Sequence, residues 1–168
     1  MILLGLDPGL RTTGWGVIDA TDNRLRWVAD GVVCSDETLS LAERLAQLHR
    51  GILAVIARHC PDEVAVEETF VNQNPSSTLK LGQARGAVLL AASLGGLAVA
   101  EYAPRSVKQA LVGTGRAAKE QVGMMVRHLL PGCQSTLADS TDALAVAICH
   151  AHHRGTAKRI QAALESAP

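Results

Sequence analysis

The spacing of apolar residues divides the chain into a first part of strands and a second part dominated by helices. Residues 2–6 form an uninterrupted apolar run, typical of a buried strand, which ends at Asp7 before a Pro-Gly turn. Two further strand-like stretches, roughly 14–19 and 24–34, are joined by a polar hairpin connection at 20–23. This order predicts three antiparallel strands at the start of the chain.

The rest of the chain alternates helical patterns with two short strands. A capping box at residues 40–43 opens a helix whose apolar residues recur at helical spacing. Strands are expected at 64–66, ending at Glu67, and at 97–102, and further helices at about 77–94, 105–111, 117–130 and 139–153. We therefore expect an α/β fold: a five-stranded mixed sheet, three antiparallel strands followed by parallel ones, flanked by helices.

The predicted domain organisation is simple. A chain of 168 residues without an internal repeat fits one domain, which we place at residues 1–154, with a flexible tail at 155–168. The helix at 77–94 is apolar almost all round in its second half, so the core could cover one side and a second subunit the other.

The charged residues are unevenly distributed along the chain, and the composition also bears on the cellular location of the protein. The net charge is zero, yet residues 1–70 hold 6 Lys+Arg against 11 Asp+Glu, and residues 71–135 hold 7 against 2. An acidic first half beside a basic middle suits a protein that holds metal ions with one part and phosphates with another, although a solvated surface can show such a pattern by chance. The absence of a long apolar run or a signal-like start predicts a cytoplasmic protein without membrane association. Its four cysteines form no C-x-x-C pair and are expected to be buried and reduced.

Four acidic positions could carry chemistry. They are Asp7 at the end of strand one, Glu67 or Glu68 at the end of strand four, and Asp139 and Asp142 at the start of the last helix. Each has an ordinary alternative, as a turn residue, a solvated strand end or a helix cap. Four converging carboxylates would repel one another without cations, so together they predict a site for Mg²⁺. Adjacent strand residues point to opposite faces, so only one of the two glutamates can join Asp7, and spacing does not decide which.

Basic and aromatic residues downstream could contact a polyanion. Lys119 follows a glycine-containing loop at a helix start, which suits a phosphate, and Phe70 in a polar loop could stack on an unpaired base. The basic residues of the middle region are Lys80, Arg85, Arg105, Lys108, Arg116, Lys119 and Arg127. A solvated helix face for each cation and a loop anchor for Phe70 are the alternatives. His150 or His153 could also lie near the acidic cluster.

The sequence resembles the RuvC family of Holliday-junction resolvases, and this resemblance extends from Ile2 to about His152. The resemblance rests on Gly5-Leu-Asp-Pro-Gly9 with Thr13-Gly14, on Glu67 followed by Phe70, on residues 79–86 (Leu-Lys-Leu-Gly-Gln-Ala-Arg-Gly), on Val107-Lys-Gln109, on residues 115–122 and on Asp139-Ser-Thr-Asp-Ala-Leu-Ala145. The string at 79–86 is the most specific of these matches.

The resemblance implies a fold, an activity and partners. Such proteins have an RNase H-like fold, act as homodimers on four-way DNA junctions and work with the RuvA–RuvB branch-migration machinery. It selects Glu67 over Glu68 and implies that four carboxylates hold two Mg²⁺ ions, with Mn²⁺ as a possible substitute: Asp7, Glu67, Asp139 and Asp142. It places Lys108 and Lys119 near the scissile phosphate and Phe70 against a junction base. Lys80, Arg85, Arg105 and Arg116 are the other expected DNA contacts.

Two alternatives differ in class. A catalytically silent junction-binding protein would be expected to lack one of the acidic residues, and all four are present. The Gly5–Gly9 turn is also similar to the phosphate-binding turn of actin-like ATPases and sugar kinases. That class needs two duplicated halves, and no second copy of the motif occurs in the chain.

Overall fold

The computed structural model describes residues 1–21, 24–69 and 74–165. Two positions of the predicted hairpin connection, residues 22 and 23, and Phe70 lie outside these ranges. The described residues form one five-stranded sheet and five helices: β1 Ile2–Asp7, β2 Thr12–Thr21, β3 Arg24–Cys34, α1 Leu41–His59, β4 Glu63–Glu67, α2 Pro75–Leu94, β5 Ala98–Tyr102, α3 Pro104–Val112, α4 Lys119–Leu129 and α5 Ala138–Glu165. None of these helices is both long and apolar enough to cross a membrane.

The sheet has the mixed topology that the sequence pattern predicted. The strand order is β3-β2-β1-β4-β5, with β1 and β2 antiparallel and β2 and β3 antiparallel. Strand β4 is parallel to both β1 and β5. The C-terminal ends of β1 and β4 are therefore neighbours, with Leu6 opposite Val66. This register brings the residues that end the two strands to the same edge.

Helices cover the sheet on both faces. One core packs α1 and α2 against the sheet through residues such as Leu4, Leu6 and Ile52. The other core packs α3, α4 and α5 against the opposite face through Leu3, Ile18 and Leu144 among others. The capping box at the start of α1 is formed as expected, with the Ser40 side chain accepting from the Glu43 N–H. This layering makes α5 a central element, since its residues 143–149 are all buried.

Helix α5 approaches the sheet closely because three strand positions are glycine. A Cβ on Gly14 would overlap the backbone carbonyl of Asp139, and one on Gly5 would overlap that of Ala143. A Cβ on Gly16 would collide with the side chain of Leu144. The three glycines thus form a flat strip across β1 and β2, on which the first turns of α5 lie. Consequently the start of α5 can reach the ends of β1 and β4.

Two sequence-based expectations about the fold need correction. The last helix does not end near His153 but continues to Glu165. The cysteines are free, but Cys34 and Cys60 are exposed and Cys133 is partly exposed, so only Cys149 is buried as expected. Strand β3 also has a register shift against β2 near Val28, and Gly31 leaves room for the Trp15 ring.

Candidate active site

Asp7 stands where β1 leaves the core. The following turn is held by Thr13, whose buried hydroxyl donates to the Gly9 carbonyl at 2.9 Å and accepts from the Gly9 N–H at 3.3 Å. The turn therefore has its own polar partner, and the Asp7 carboxylate is directed to other groups. It forms a hydrogen bond with the Glu67 side chain. This contact opposes the alternative in which Asp7 merely caps its turn.

Glu67 lies beside Asp7 at the end of β4, and both side chains are partly buried. Burial is the main cause that raises the pKa of each carboxyl above its ordinary value. The charge of Asp7 raises the pKa of Glu67 further, and so does the hydrogen bond that protonated Glu67 donates to Asp7. Without a cation, the pair thus favours a shared proton. Glu67 rather than Glu68 takes part in this contact.

Helix α5 supplies the other two acidic residues from its first turns. Asp142 lines the same cavity as Asp7 and Glu67. Asp139 lies one turn earlier, and its backbone carbonyl rests on Gly14. Both negative charges contribute to raising the pKa of Asp7, after its burial, so Asp139 and Asp142 lie within electrostatic range of it. The structure therefore brings Asp7, Glu67 and Asp142 to one cavity and leaves Asp139 one turn before Asp142 on α5.

Two lysines complete this acidic cavity, which has a volume of about 330 Å³. Lys119, the first residue of α4, pairs with Asp142 at a distance of 2.5 Å between Nζ and Oδ2. The hydrogen bond to Asp142 is the main reason why the pKa of Lys119 is raised. Lys108 comes from α3 and lines the same cavity. The predicted lysines thus lie where an anionic group that enters the cavity would meet them.

The donor set fits a divalent cation, although the side chains are not arranged around one. Among the described residues, no group of three His, Cys, Asp or Glu side chains lies in a metal-binding arrangement. The contacts explain this, since Asp7 and Glu67 bind each other while Lys119 holds Asp142. Carboxylate oxygens that repel one another in a partly buried cavity are nevertheless the ligands that Mg²⁺ prefers. Release of Asp142 by Lys119 would be needed to gather the carboxylates.

The other predicted cationic residues are spread more widely. Lys80, Arg105 and Arg116 are exposed. Arg105 lines a second, larger cavity of about 590 Å³ between α3 and α5, together with Gln109, His152 and His153. That cavity holds none of the four acidic residues, so we place the chemistry in the smaller one. Arg85 is different from these cations because its side chain is only 21% exposed and pairs with Glu101.

The histidines near the end of the chain do not join the acidic cluster. His150 is buried, and its Nε2 lies 2.8 Å from Oε2 of Glu63, at the opposite end of β4 from Glu67. His153 stacks on Tyr102, with ring centroids 5.1 Å apart. Sequence reasoning missed both this polar cluster and the glycine strip beneath α5. The strip could have been predicted from the sequence, because Gly14 and Gly16 are two residues apart and therefore lie on the same face of a strand.

Sequence comparison relates the chain to a known family over nearly its whole length. The family model described as crossover junction endodeoxyribonuclease RuvC matches residues 3–150. The RuvC protein of Paramagnetospirillum magneticum is 70% identical over 164 residues, which cover 98% of this chain and 99% of the relative. The RuvC protein of Rhodospirillum rubrum is 69% identical over 157 residues, covering 94% and 93%. This coverage favours the resolvase interpretation over the actin-like one.

Solved structures agree with the sequence comparison. Thermus thermophilus RuvC superposes with a TM-score of 0.85 at 37% identity, over 94% of this chain and 97% of that one. The same protein in complex with a Holliday junction substrate gives 0.87 at 38% identity, over 94% and 96%. The yeast mitochondrial Holliday junction resolvase Ydc2 shares the fold, with a TM-score of 0.71 at 10% identity over 94% and 82% of the two chains. The five-stranded sheet is thus RNase H-like, and the chain, with its acidic cavity at the ends of β1 and β4, belongs to the RuvC family of crossover junction endodeoxyribonucleases.

Proposed function

We propose that this protein is a Mg²⁺-dependent endonuclease that resolves four-way DNA junctions by symmetric nicks in two opposed strands. The observation that carries the proposal is the cavity in which Asp7, Glu67 and Asp142 meet beside Lys108 and Lys119. Solved structures of relatives support the substrate, because Thermus thermophilus RuvC has been captured with a Holliday junction. As an enzyme of DNA junctions, the protein would act in the cytoplasm.

The carboxylates would hold two divalent ions in this cavity. The side chains of Asp7, Glu67, Asp139 and Asp142 supply only oxygen donors. Asp7 interacts with each of the other three, through a hydrogen bond with Glu67 and through the charges of Asp139 and Asp142. When bound, such ions supply Lewis-acid charge for the attack of water on a phosphodiester and for the departure of the leaving oxygen. Mg²⁺ suits the hard oxygen ligands, and Mn²⁺ would be accommodated by the same set.

The protein's own residues would prepare the cavity for a phosphate. In the DNA-free state, Lys119 neutralises Asp142 while Glu67 shares a proton with Asp7, so the repulsion between the carboxylates is limited. Lys119 is 65% exposed at its side chain and can therefore exchange Asp142 for a phosphate oxygen. Lys108 on α3 offers a second cation on another wall of the cavity. Positioning and electrostatics would thus carry the reaction, without a covalent intermediate.

Exposed cations around the cavity would hold the arms of the junction. Lys80 on α2, Arg105 on α3 and Arg116 in the loop before α4 are all exposed, and phosphate contacts of this kind fix the register of DNA on a protein. Phe70 would stack on a junction base, as the family resemblance implies. Arg85 has fewer donors available for a phosphate, because its guanidinium already contacts protein groups.

A homodimer would cut the two opposed strands. Helix α2 buries Ala84, Val88, Ala91 and Ala92 against its own core, yet Leu79, Leu90 and Leu94 remain exposed at 66%, 52% and 67%. Exposed leucines on one helix favour a covering partner, here a second copy of the chain. The RuvA–RuvB machinery is proposed as a further partner from the family alone.

A cleavage assay on synthetic four-way junctions tests the proposal. The wild-type protein should nick a mobile junction at paired, symmetric positions when Mg²⁺ is present and should bind without cutting when Mg²⁺ is absent. Linear duplexes of the same sequence should stay intact. Binding without nicks at any Mg²⁺ concentration would instead identify a silent junction-binding protein, and unpaired cuts in linear DNA would contradict junction selectivity.

A further inference from the structure

Arg85 lies on α2 within the sequence block 79–86, the block most specific to the family resemblance, and its environment differs from that of the exposed cations. Its side chain is mostly buried and pairs through Nη2 with Oε2 of Glu101 on β5. Its Nε donates to the backbone carbonyl of Glu67 at 3.4 Å. One guanidinium therefore connects α2, β4 and β5 at the edge of the sheet that carries the acidic cavity.

The peptide unit that follows Glu67 is held on both sides. Its carbonyl oxygen accepts from Arg85, and its N–H, which belongs to Glu68, donates to the Tyr102 carbonyl at 2.9 Å. Glu67 is the last residue of β4, so the regular strand contacts end at this unit. Fixing the plane of this peptide fixes the ψ angle of Glu67, because only two dihedrals per residue are soft. The direction of the Glu67 side chain depends on that backbone conformation.

From these contacts we infer that Arg85 is a positioning residue that acts through Glu67, and that Glu101 orients its guanidinium. An arginine suits this role because two nitrogens of its planar guanidinium group can bind the Glu101 carboxylate and the Glu67 carbonyl at the same time. A lysine ammonium at the same place would be a point charge on a flexible stem, and Glu101 would compete with the carbonyl for it. This inference rests on the proposed function, since it gives Glu67 a part in cleavage.

The size of the effect follows from what Glu67 does. Partners that orient a ligating carboxylate typically matter by about 10–100-fold in metal affinity or activity. A shift of about 1 Å in a reacting geometry has an effect of similar size. We therefore expect replacement of Arg85 to lower the cleavage rate rather than the affinity for DNA, since Arg85 is mostly buried and already paired.

The test compares Arg85→Met with Lys80→Met, a matched control that also removes one cation from α2 but at an exposed position. Arg85→Met should lower the single-turnover cleavage rate by about 10–100-fold and raise the Mg²⁺ concentration needed for half of the maximal rate. It should bind the junction without Mg²⁺ as tightly as the wild type does. Lys80→Met, which removes a proposed DNA contact, should instead weaken junction binding in the absence of Mg²⁺. Arg85→Lys should recover part of the rate.

A readout that does not depend on cleavage is the exchange of the Glu68 amide hydrogen, which should be faster in Arg85→Met and unchanged in Lys80→Met. Glu101→Gln, which keeps Arg85 itself, should show a smaller change in the same direction and serves if Arg85→Met melts too low for assay. Weaker junction binding by Arg85→Met with an unchanged rate would overturn the inference and make Arg85 a DNA contact. Unchanged rate and unchanged exchange would also overturn it. If the wild type itself failed to cut, the proposed function would fail while the exchange experiment still tested the contact.

Discussion

Strand β4 carries a glutamate at each end, and the two ends have opposite environments. Glu63 and Glu67 are four residues apart, point to the same face of the sheet and are both partly buried. Glu63 accepts from Nε2 of His150 at 2.8 Å and from Nε of Arg154 at 2.9 Å. Glu67 instead faces the carboxylates of Asp7 and Asp142. One end is thus satisfied within the chain, and the other end is not.

The satisfied end forms a continuous chain of hydrogen bonds. Because Nε2 of His150 faces the Glu63 carboxylate, this nitrogen carries the proton, and Nδ1 accepts from the Tyr102 hydroxyl at 2.8 Å. Burial lowers the pKa of His150, which keeps the ring neutral, and Arg154 balances the charge of Glu63. Every group here has a partner within the fold, so this cluster stabilises the packing of α5 on the sheet.

The two ends differ in their partners: Glu63 is paired with groups of the chain, whereas Glu67 faces other carboxylates. Two carboxyls with raised pKa values in one cavity are costly in the folded protein, and a fold tolerates them where an external cation completes the site. Exposure alone would not separate the two glutamates, because both are partly buried. The difference lies in the charges of their neighbours, and it predicts opposite consequences for substitutions at the two ends.

The largest expected effect is that of Asp7→Asn on cleavage. Loss of the Asp7 carboxylate should remove several kcal/mol of transition-state stabilisation, which lowers the single-turnover rate by at least about 10³-fold. Because the substitution also removes repulsion from Glu67, the metal-free variant should melt no lower than the wild type and still bind the junction. Rate and melting temperature are measured on the same preparation. Normal cutting, or a marked loss of stability without metal, would contradict the contrast between the two ends.

Gly14→Ala should have the next largest effect, because it separates α5 from the sheet at the acidic end. The new Cβ would overlap the Asp139 carbonyl and displace the turn that carries Asp139 and Asp142. We expect about 1–3 kcal/mol lower stability in urea unfolding and about 10²-fold slower cleavage. Gly155→Ala on the same helix is the control, since nothing lies within 4 Å of its added Cβ. Equal rates for the two variants would argue against the role of the glycine strip.

Glu63→Gln should affect stability and spare the chemistry. It removes the charged acceptor of both His150 and Arg154, which should lower the free energy of unfolding by about 1.5–3 kcal/mol. Well below the melting temperature, the cleavage rate should equal that of the wild type, because Glu63 lies at the far end of β4 from the cavity. Chemical denaturation and single-turnover assays separate the two properties. A slower cleavage rate at unchanged stability would show that Glu63 contributes to catalysis and would contradict this prediction.

The smallest expected effect is a dependence of stability on pH. Burial and nearby carboxylates raise the pKa of Asp7 to about 6 and that of Glu67 to about 8. The folded state therefore binds these protons more tightly than the unfolded chain, in which the pKa of such carboxyls is about 4. Their stabilising contribution is present below about pH 4 and is lost as pH rises through 6 and 8. In EDTA, the melting temperature of the wild type should thus fall relative to that of Asp7→Asn over this range, and Mg²⁺ should reduce the difference. Parallel curves would contradict the assignment.

Much of the architecture and the candidate carboxylates could be predicted from the sequence alone. An apolar run that ends at Asp7, a helix with a capping box and a short strand that ends at Glu67 predicted the mixed sheet, because local hydrophobic period and turn residues reflect local backbone conformation. The family resemblance, carried by motifs such as residues 79–86, supplied the choice of Glu67 over Glu68 and the substrate class.

Which of these groups meet could be read only from the three-dimensional fold. It brought Asp139 and Asp142 to the end of β1 through contacts with Gly14, placed Lys119 on Asp142, and sent His150 to Glu63 instead of to the acidic cavity. It also joined Arg85 to the backbone of Glu67, 18 residues earlier in the chain, where the sequence had suggested a DNA contact. The physical reason is that charge pairing and close packing depend on distances between elements remote in sequence. The pattern of a single strand or helix does not contain those distances.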